Sequence, residues 1–465
     1  MKLGISATEY ISSIKNGAFS AEEFMAKTLE HIKKVEPKFH AFISLDETAQ
    51  EKARLVDKKI KSGQKVGAFY GMPISIKDNI CIKNGKTTCA SKMLENYISP
   101  YDATVISKLK SQDAVIVGKT NLDEFAMGVA TEFSAFGASK NPWNTDYVPG
   151  GSSGGSAVAV AGLESILSLG SDTGGSVRNP ASFCNIVGLK PTYGLVSRFG
   201  LVSYANSIEQ IGPMGRRVED VALLLNHISG KDPNDPTTID NKNEDYLSDI
   251  DAGLDSTVSS VFKNSVSAFE KLGAKIEEIS LDMVEYTVAT YYVLTTAEAG
   301  SNLSRYDNLR YGFELDSEGY EFKSYISRAR RNFGPEVTRR MILGGFVPSA
   351  GFAGKYLLKA LKVKSKLKKQ IHNAFSKCDF LISPTVPVLP FKFGEKIDDP
   401  LAMYLADINT VTANLTGIPA ISVPYEIKNG LPVGIQIHAN SLQEKQLLQA
   451  AHALQSATHL PEISI

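Results

Sequence analysis

ILSLG (166–170) runs straight into SDTGGSVRNP (171–180), so a short apolar run ends on a loop dense in glycine, serine and asparagine. A short, mostly apolar run bounded by turn formers carries the mark of a buried strand rather than a helix. AVIVG (114–118), FLISP (380–384), AISVP (420–424) and VGIQI (433–437) repeat that mark, and PISIKDNI (73–80) reads as a strand and its exit. Helical stretches separate them, as at 102–112. Strands that alternate with helices predict an α/β fold around a largely buried sheet.

Working toward the N-terminus, Ser6 with Glu9 and Ser20 with Glu23 fit the capping box, and Gly17 fits the stop between two helices. A third helical stretch covers about 46–61. The expectation is a helical segment over about 1–65 packed on the core of a single domain, 1–465. The polar stretch 230–256 (GKDPNDPTTIDNKNEDYLSDIDAGLDS) is a surface excursion by this reading rather than a linker. A basic helical segment, 355–370, reads as a solvated face.

The bulk composition narrows the function classes. The chain has 465 residues, 43% of them hydrophobic and 22% charged, which suits a globular protein with a substantial core. Fifty basic residues meet fifty acidic ones, so the formal net charge is zero. A protein that holds nucleic acid alone usually carries a basic excess; any RNA is expected to be held by a partner. Cys81, Cys89, Cys184 and Cys378 form no metal-ligand spacing, so no metal site is expected. Sparse cysteine, no apolar signal core and no long apolar run together predict a cytoplasmic protein without a membrane span.

Three pieces carry chemistry: SIKDN (75–79), PGGSSGGSA (149–157) and SDTGGSVRNP (171–180). A glycine-dense loop is either a tight turn or a cradle of backbone N–H groups, and either loop alone leaves both open. GKT at 118–120 resembles the tail of a phosphate loop, but Asp113 stands where that loop needs glycine. Residues 150–154 match G-x-S-x-G, the nucleophile elbow, which requires a distant histidine as base. The seven histidines, 31, 40, 227, 372, 438, 452 and 459, mostly lie in helical stretches and read as surface or packing residues. PWNTDYVP, before the elbow, does not read as the strand that motif demands.

Taken together, the three pieces at their spacing resemble the amidase signature family. The likeness covers nearly the whole chain and is densest over 71–220, where the catalytic loops fall. From Lys77 to Ser152 is 75 residues and from Ser152 to Ser176 is 24. The resemblance implies a single large mixed β-sheet flanked by helices, with Ser176 as nucleophile, Ser152 as a bridging serine after a cis peptide, and Lys77 as base. The chemistry fits those residue types. A serine hydroxyl is a weak nucleophile until a neighbour takes its proton. Lysine ordinarily titrates near ~10.4, and burial disfavours its ammonium, which makes it a usable base. Backbone N–H groups of Thr173, Gly174, Gly175 and Ser176 are expected to form the oxyanion hole. Asp172 and Arg178 read as an ion pair that pins the loop.

Within the family the resemblance narrows to the glutaminase subunits of tRNA-dependent amidotransferases. It rests on TTCASKML (87–94), YDATVISKL (101–109), GKTNLDEFAMG (118–128), VGLKPTYGLVSRFGL (187–201) and IEQIGP (208–213). It implies that glutamine is hydrolysed here and ammonia passed to a B subunit. That subunit would use ATP and Mg to activate Glu-tRNA or Asp-tRNA, with a small C subunit holding the assembly together. No cofactor is expected in this chain. Glutamine recognition needs a guanidinium for the α-carboxylate and a carboxylate for the α-ammonium. The resemblance assigns those jobs to Arg340 and Asp407, and lines the acyl pocket with Met127. From its helical setting alone, Arg340 reads as a solvated residue.

Two departures stand out. IDAGLDSTVSSVF (250–262) occupies the place of a GLKVA-type strand that relatives carry, and His438 follows GIQI where a small or apolar residue is usual. Two other functions compete with the glutaminase reading: a free-standing amidase on another small amide, and a silent scaffold of a tRNA-modifying complex. The intact Lys–Ser–Ser set argues against silence.

Overall fold

The computed structural model describes residues 1–465 except 242–243, 251–278, 308, 310, 314–318, 397–398, 459–460, 462 and 464–465. Among the described residues, nine strands form one mixed sheet in the order β1-β3-β2-β4-β6-β5-β8-β9-β7. They are β1 (Phe42–Leu45), β2 (Pro73–Lys77), β3 (Val115–Thr120), β4 (Leu167–Asp172), β5 (Val187–Lys190), β6 (Gln210–Gly215), β7 (Phe380–Pro384), β8 (Ala420–Lys428) and β9 (Leu431–Ala439). β2 runs parallel to both β3 and β4, and every other neighbouring pair is antiparallel. The parallel trio is buried from end to end. Burial on both faces fits the apolar run Val115–Val117 of β3, while β2 and β4 also bury polar residues, Ser75, Lys77, Ser168, Ser171 and Asp172. The α/β expectation and the single flanked mixed sheet both hold.

Every strand expected from the sequence forms, with ends shifted by a few residues at most, and FLISP is β7 itself. β1, β5 and β6 are additional. β1 is a four-residue edge strand, only partly buried, and its FISL carries no alternation long enough to read. β5 lies inside VGLKPTYG and β6 begins within IEQIGP, where glycine and proline mask strand character.

Both capping boxes form. Ser6 caps the helix Ala7–Lys15 and Ser20 caps Ala21–Phe39, each with reciprocal bonds to its glutamate. The third helix is Ala49–Lys61. Buried carboxylates fasten this segment to its surroundings. Asp57 accepts from the amides of Ala21 and Glu22 at 2.9 Å each, and Asp220 accepts from that of Ala7 at 2.7 Å. The polar excursion after Gly230 is also tied down, since Asp232 accepts from Ser197 and Thr104 hydroxyls. The basic segment is the helix Leu357–Phe375, which buries Ala360, Leu367, Ile371 and Ala374 and leaves most of its lysines in solvent. The GLKVA-type strand noted above falls at residues that, beyond Ile250, lie outside those described.

Three helices have no solvent face among the described residues, Gly154–Ala161, Arg178–Phe183 and Val411–Thr416, and the first of them positions a loop. Gly154–Ala161 (GGSAVAVA) is buried at all eight positions, packed over β2 and β4. An all-round small and apolar helix belongs in a core. It starts immediately after the first glycine/serine loop, so that loop is delivered to the carboxyl ends of the parallel strands. Open α/β sheets place their ligands at those ends.

Candidate active site

Lys77 is the last residue of β2 and is fully buried. Its Nζ lies 2.8 Å from Ser152 Oγ, 2.8 Å from Ser153 Oγ, 2.9 Å from Ser171 Oγ and 3.3 Å from the Ser171 carbonyl. Burial pushes this amine down to about 7, although Asp123 and Asp172 pull it the other way. At neutral pH a large share of Lys77 is therefore uncharged, with an electron pair to offer. The Gly151–Ser152 peptide is cis. Glycine is required at 151 because a Cβ would stand 2.1 Å from the Asp123 carboxylate.

The second loop follows β4. Ser176 is the most exposed of the three expected catalytic residues, at 7%, with Lys77 and Ser152 fully buried. The loops are joined by a bond from the Ser153 amide to the Ser176 carbonyl at 3.0 Å. Asp172 and Arg178 pin the loop, as read from the sequence. Arg178 Nε and Nη2 each donate to the Asp172 carboxylate at 3.0 Å, with both side chains fully buried. Burial alone would raise Asp172, but the Arg178 charge and bonds outweigh it and hold the carboxyl at about 2. Asp172 also accepts from the amides of Gly175 (2.9 Å) and Val177 (3.2 Å). Here the sequence expectation needs correction. The Gly175 N–H is taken by Asp172, so Gly175 serves through its conformation (φ +137°) and through space, since a Cβ would meet Thr410 Oγ1 at 2.3 Å.

Arg340 is 2% exposed, so its solvated reading fails: the helix Pro335–Phe346 turns this side chain inward while Arg339 stays outside. Its Nε donates to Glu336 at 2.7 Å and its Nη1 to the Tyr204 hydroxyl at 2.6 Å. The guanidinium carbon lies 5.1–5.5 Å from the rings of Tyr204, Tyr292 and Tyr404. Asp407 is buried near it, with the Tyr292 hydroxyl 3.4 Å from its carboxylate. Burial pushes Asp407 up to about 8, against the pull of Arg340. Two contacts join this pair to the serine loop. Tyr291 packs where a Cβ on Gly174 would fall, and Thr410, one turn past Asp407, donates to the Gly174 carbonyl. Met127 is fully buried in the apolar cluster that holds Tyr204 and Tyr291.

Sequence reasoning missed Ser153, Ser171 and Asn79 around the amine, and Tyr204, Tyr292, Tyr404 and Glu336 around the guanidinium. The first three sit inside the quoted motifs, so their positions were visible but their bonds were not. The tyrosines come from separate segments and carry no local signal. Histidine takes no part among the described residues. His438 is buried on β9, where burial pushes it down to about 3, and it makes no bond to Lys77 or either serine. No group of three or more potential metal ligands occurs among the described residues, and no helix there is long and apolar enough to cross a membrane.

Comparison with known proteins gives a consistent answer. A family model described as Amidase matches residues 23–448. The chain is 56% identical to the A subunit of the glutamyl-tRNA(Gln) amidotransferase of Cenarchaeum symbiosum, over 98% of each chain. It is 48% identical to the protein of that name from Carboxydothermus hydrogenoformans, over 98% of this chain and 97% of that one. Among solved structures it is similar to the protein of the same name from Thermotoga maritima, with 39% identity, a TM-score of 0.80, and coverage of 100% of this chain and 99% of that chain. It also matches the peptide amidase of Stenotrophomonas maltophilia at 25% identity and a TM-score of 0.80, over 98% of each chain.

Proposed function

The chain belongs to the amidase family, and on that premise we propose that it is the glutamine-hydrolysing subunit of a tRNA-dependent amidotransferase. The observation that carries the narrower reading is the buried pair Arg340 and Asp407 beside the Ser176 loop. A general amidase needs only the serines and the lysine. A guanidinium and a carboxyl group held together suit a substrate that is itself an α-amino acid.

The proposed chemistry uses neutral Lys77 as the terminal base. Ser176 Oγ attacks the side-chain carbonyl carbon of glutamine while its proton passes to Ser152 and the Ser152 proton to Lys77. The oxyanion is held by the loop amides of Thr173, Gly174 and Ser176. Collapse of the tetrahedral adduct breaks the C–N bond, and the proton returned through Ser152 lets ammonia leave. Water then hydrolyses the glutamyl ester by the same relay and frees glutamate. Arg340 takes the α-carboxylate, Asp407 the α-ammonium, and Met127 lines the acyl pocket. An arriving ammonium supplies the charge that Asp407 lacks, so substrate binding favours its ionised form.

Arg340→Ala is expected to raise the glutamine KM by about 10²-fold through loss of a buried charge-assisted pair, and to leave turnover of a simple amide without a carboxylate far less affected. Steady-state kinetics on the two substrates decide it. Equal losses on both make Arg340 a structural residue.

The partners proposed are a B subunit, which activates the tRNA-borne carboxyl with ATP and Mg, and a small C subunit. tRNA is held by B, consistent with the zero net charge of this chain. Glutaminase activity of the isolated chain is expected to be weak, and to rise when B, C, ATP and mischarged tRNA are present together. The test of the division of labour is a complex carrying Ser176→Ala supplied with ammonium chloride. Amidation of tRNA under those conditions identifies this chain as the ammonia donor. Failure of ammonia to rescue, with full activity of the isolated wild-type chain on small amides, makes it a free-standing amidase.

A further inference from the structure

The hydrogen bonds around Lys77 can be counted donor by donor, and the count singles out two residues with no role so far. A neutral amine has two N–H bonds and one electron pair, and three hydroxyl oxygens surround this one: Ser152, Ser153 and Ser171. Each hydroxyl owns a single proton. The Ser153 proton is donated to the Ser171 carbonyl at 3.1 Å, and Ser153 Oγ also accepts the Ser171 amide at 3.3 Å. Toward Lys77, Ser153 is thus left only an accepting lone pair. Ser171 offers the amine two oxygens, its hydroxyl at 2.9 Å and its carbonyl at 3.3 Å. The Ser171 hydroxyl is in turn held by Asn79 Nδ2, which can only donate, at 2.9 Å. Ser153 takes one N–H of the neutral amine; with the second directed to Ser171, through its hydroxyl oxygen or its carbonyl, the electron pair faces the Ser152 hydroxyl, the direction in which the relay needs it.

The strand geometry makes this arrangement possible. Lys77 ends β2, Asn79 follows in the turn beyond it, and both side chains reach Ser171 near the end of the neighbouring strand β4, at 2.9 Å each. Asp78, between them, faces away and pairs with Lys119 at 2.8 Å. We propose that Ser171, held by Asn79, is a positioning residue that aims the electron pair of Lys77 at Ser152. Neither residue touches substrate. Their effect is on the direction and basicity of the amine. The proposal rests on the amidase reading of the Lys–Ser–Ser set.

Two substitutions give opposite signatures. The titratable groups facing the amine are Asp123, Asp172, Cys89 and Glu209, all of which favour its ammonium, and Ser171 and Asn79 add no charge to them. Ser171→Ala removes an acceptor that also serves the ammonium. The acid limb of the kcat–pH profile therefore moves to lower pH, while the plateau falls by about 10²-fold because the pair is no longer aimed. Glutamine KM stays unchanged, and Ser171→Thr, which keeps the hydroxyl, restores most of kcat. Asn79→Asp places a carboxylate beside the cluster and moves the limb to higher pH. The measurements are kcat and KM against pH on the full complex, with thermal melting as the control for folding. A Ser171→Ala enzyme with unshifted limb, or with its loss confined to KM or melting temperature, overturns the proposal. Should Ser171→Ala not fold, an unshifted limb in Asn79→Asp overturns it instead. Ser176→Ala in parallel separates the two levels: if that variant still hydrolyses glutamine, the amidase reading itself fails.

Discussion

Ser176→Ala is expected to remove glutamine hydrolysis, lowering turnover by a factor on the order of 10⁴ or more, because the glutamyl ester can no longer form. Ser176 is the most exposed member of the set, at 7%, while Ser152 and Lys77 are fully buried. The loop that carries Ser176 is held in place by the Asp172–Arg178 pair and by Thr410. Mass spectrometry after trapping with a slow amide should place the acyl group on Ser176 in the wild type. An adduct on Ser152, or retained turnover in the alanine variant, overturns the assignment.

Lys77→Arg is expected to be almost as damaging as Lys77→Ala, each losing roughly 10³-fold in kcat. Arginine preserves a positive charge at 77 but does not give up its proton. Burial has brought Lys77 down to about 7, so the proton balance also fixes the sign of the pH dependence. Below that value the amine is ammonium and has no electron pair for Ser152. Above it the base is free. The kcat of the wild type, measured at saturating glutamine, is expected to rise through about pH 7 and level off on the alkaline side. Substantial activity in Lys77→Arg, or a profile flat through neutrality, means that Lys77 acts as a positive charge and not as a base.

The two halves of the site differed in how well they could be read in advance. The catalytic half is written in consecutive residues. SIKDN ends a strand, and each glycine/serine loop is a local object whose turns and serines are all visible together. Even there, bond direction was hidden: Gly175 looks like any loop amide until Asp172, three residues back, is seen to occupy it. The recognition half is distributed. Arg340 follows Arg339 on one helix and both donate to Glu336, and nothing local says that Arg339 stays partly in solvent while Arg340 is buried against Tyr204 and two further rings. Burying a charge is costly unless partners receive it, so sequence alone favours the exposed reading. The sheet shows the same division. Its apolar parallel strands could be read directly, while β1 at the edge and the glycine-rich β5 and β6 gain strand character from their neighbours rather than from their own residues.

The clamp on the nucleophile loop has a consequence for how the protein comes to life. Arg178 reaches across the sequence to the Thr410 carbonyl, 232 residues on, and to Gln436, 258 residues on, while Asn414 ties the Asp172 carbonyl from the same distant region. Synthesis proceeds from the N-terminus, so the lysine and both serines leave the ribosome long before the groups that hold their loops in place. A half-made chain therefore carries the lysine and both serines without the distant groups, Thr410, Asn414 and Gln436, that fix the nucleophile loop. For the same reason the stretch 71–220 cannot be cut out as a miniature enzyme. It contains the reagents, but the tension that shapes them is supplied from the other end of the chain.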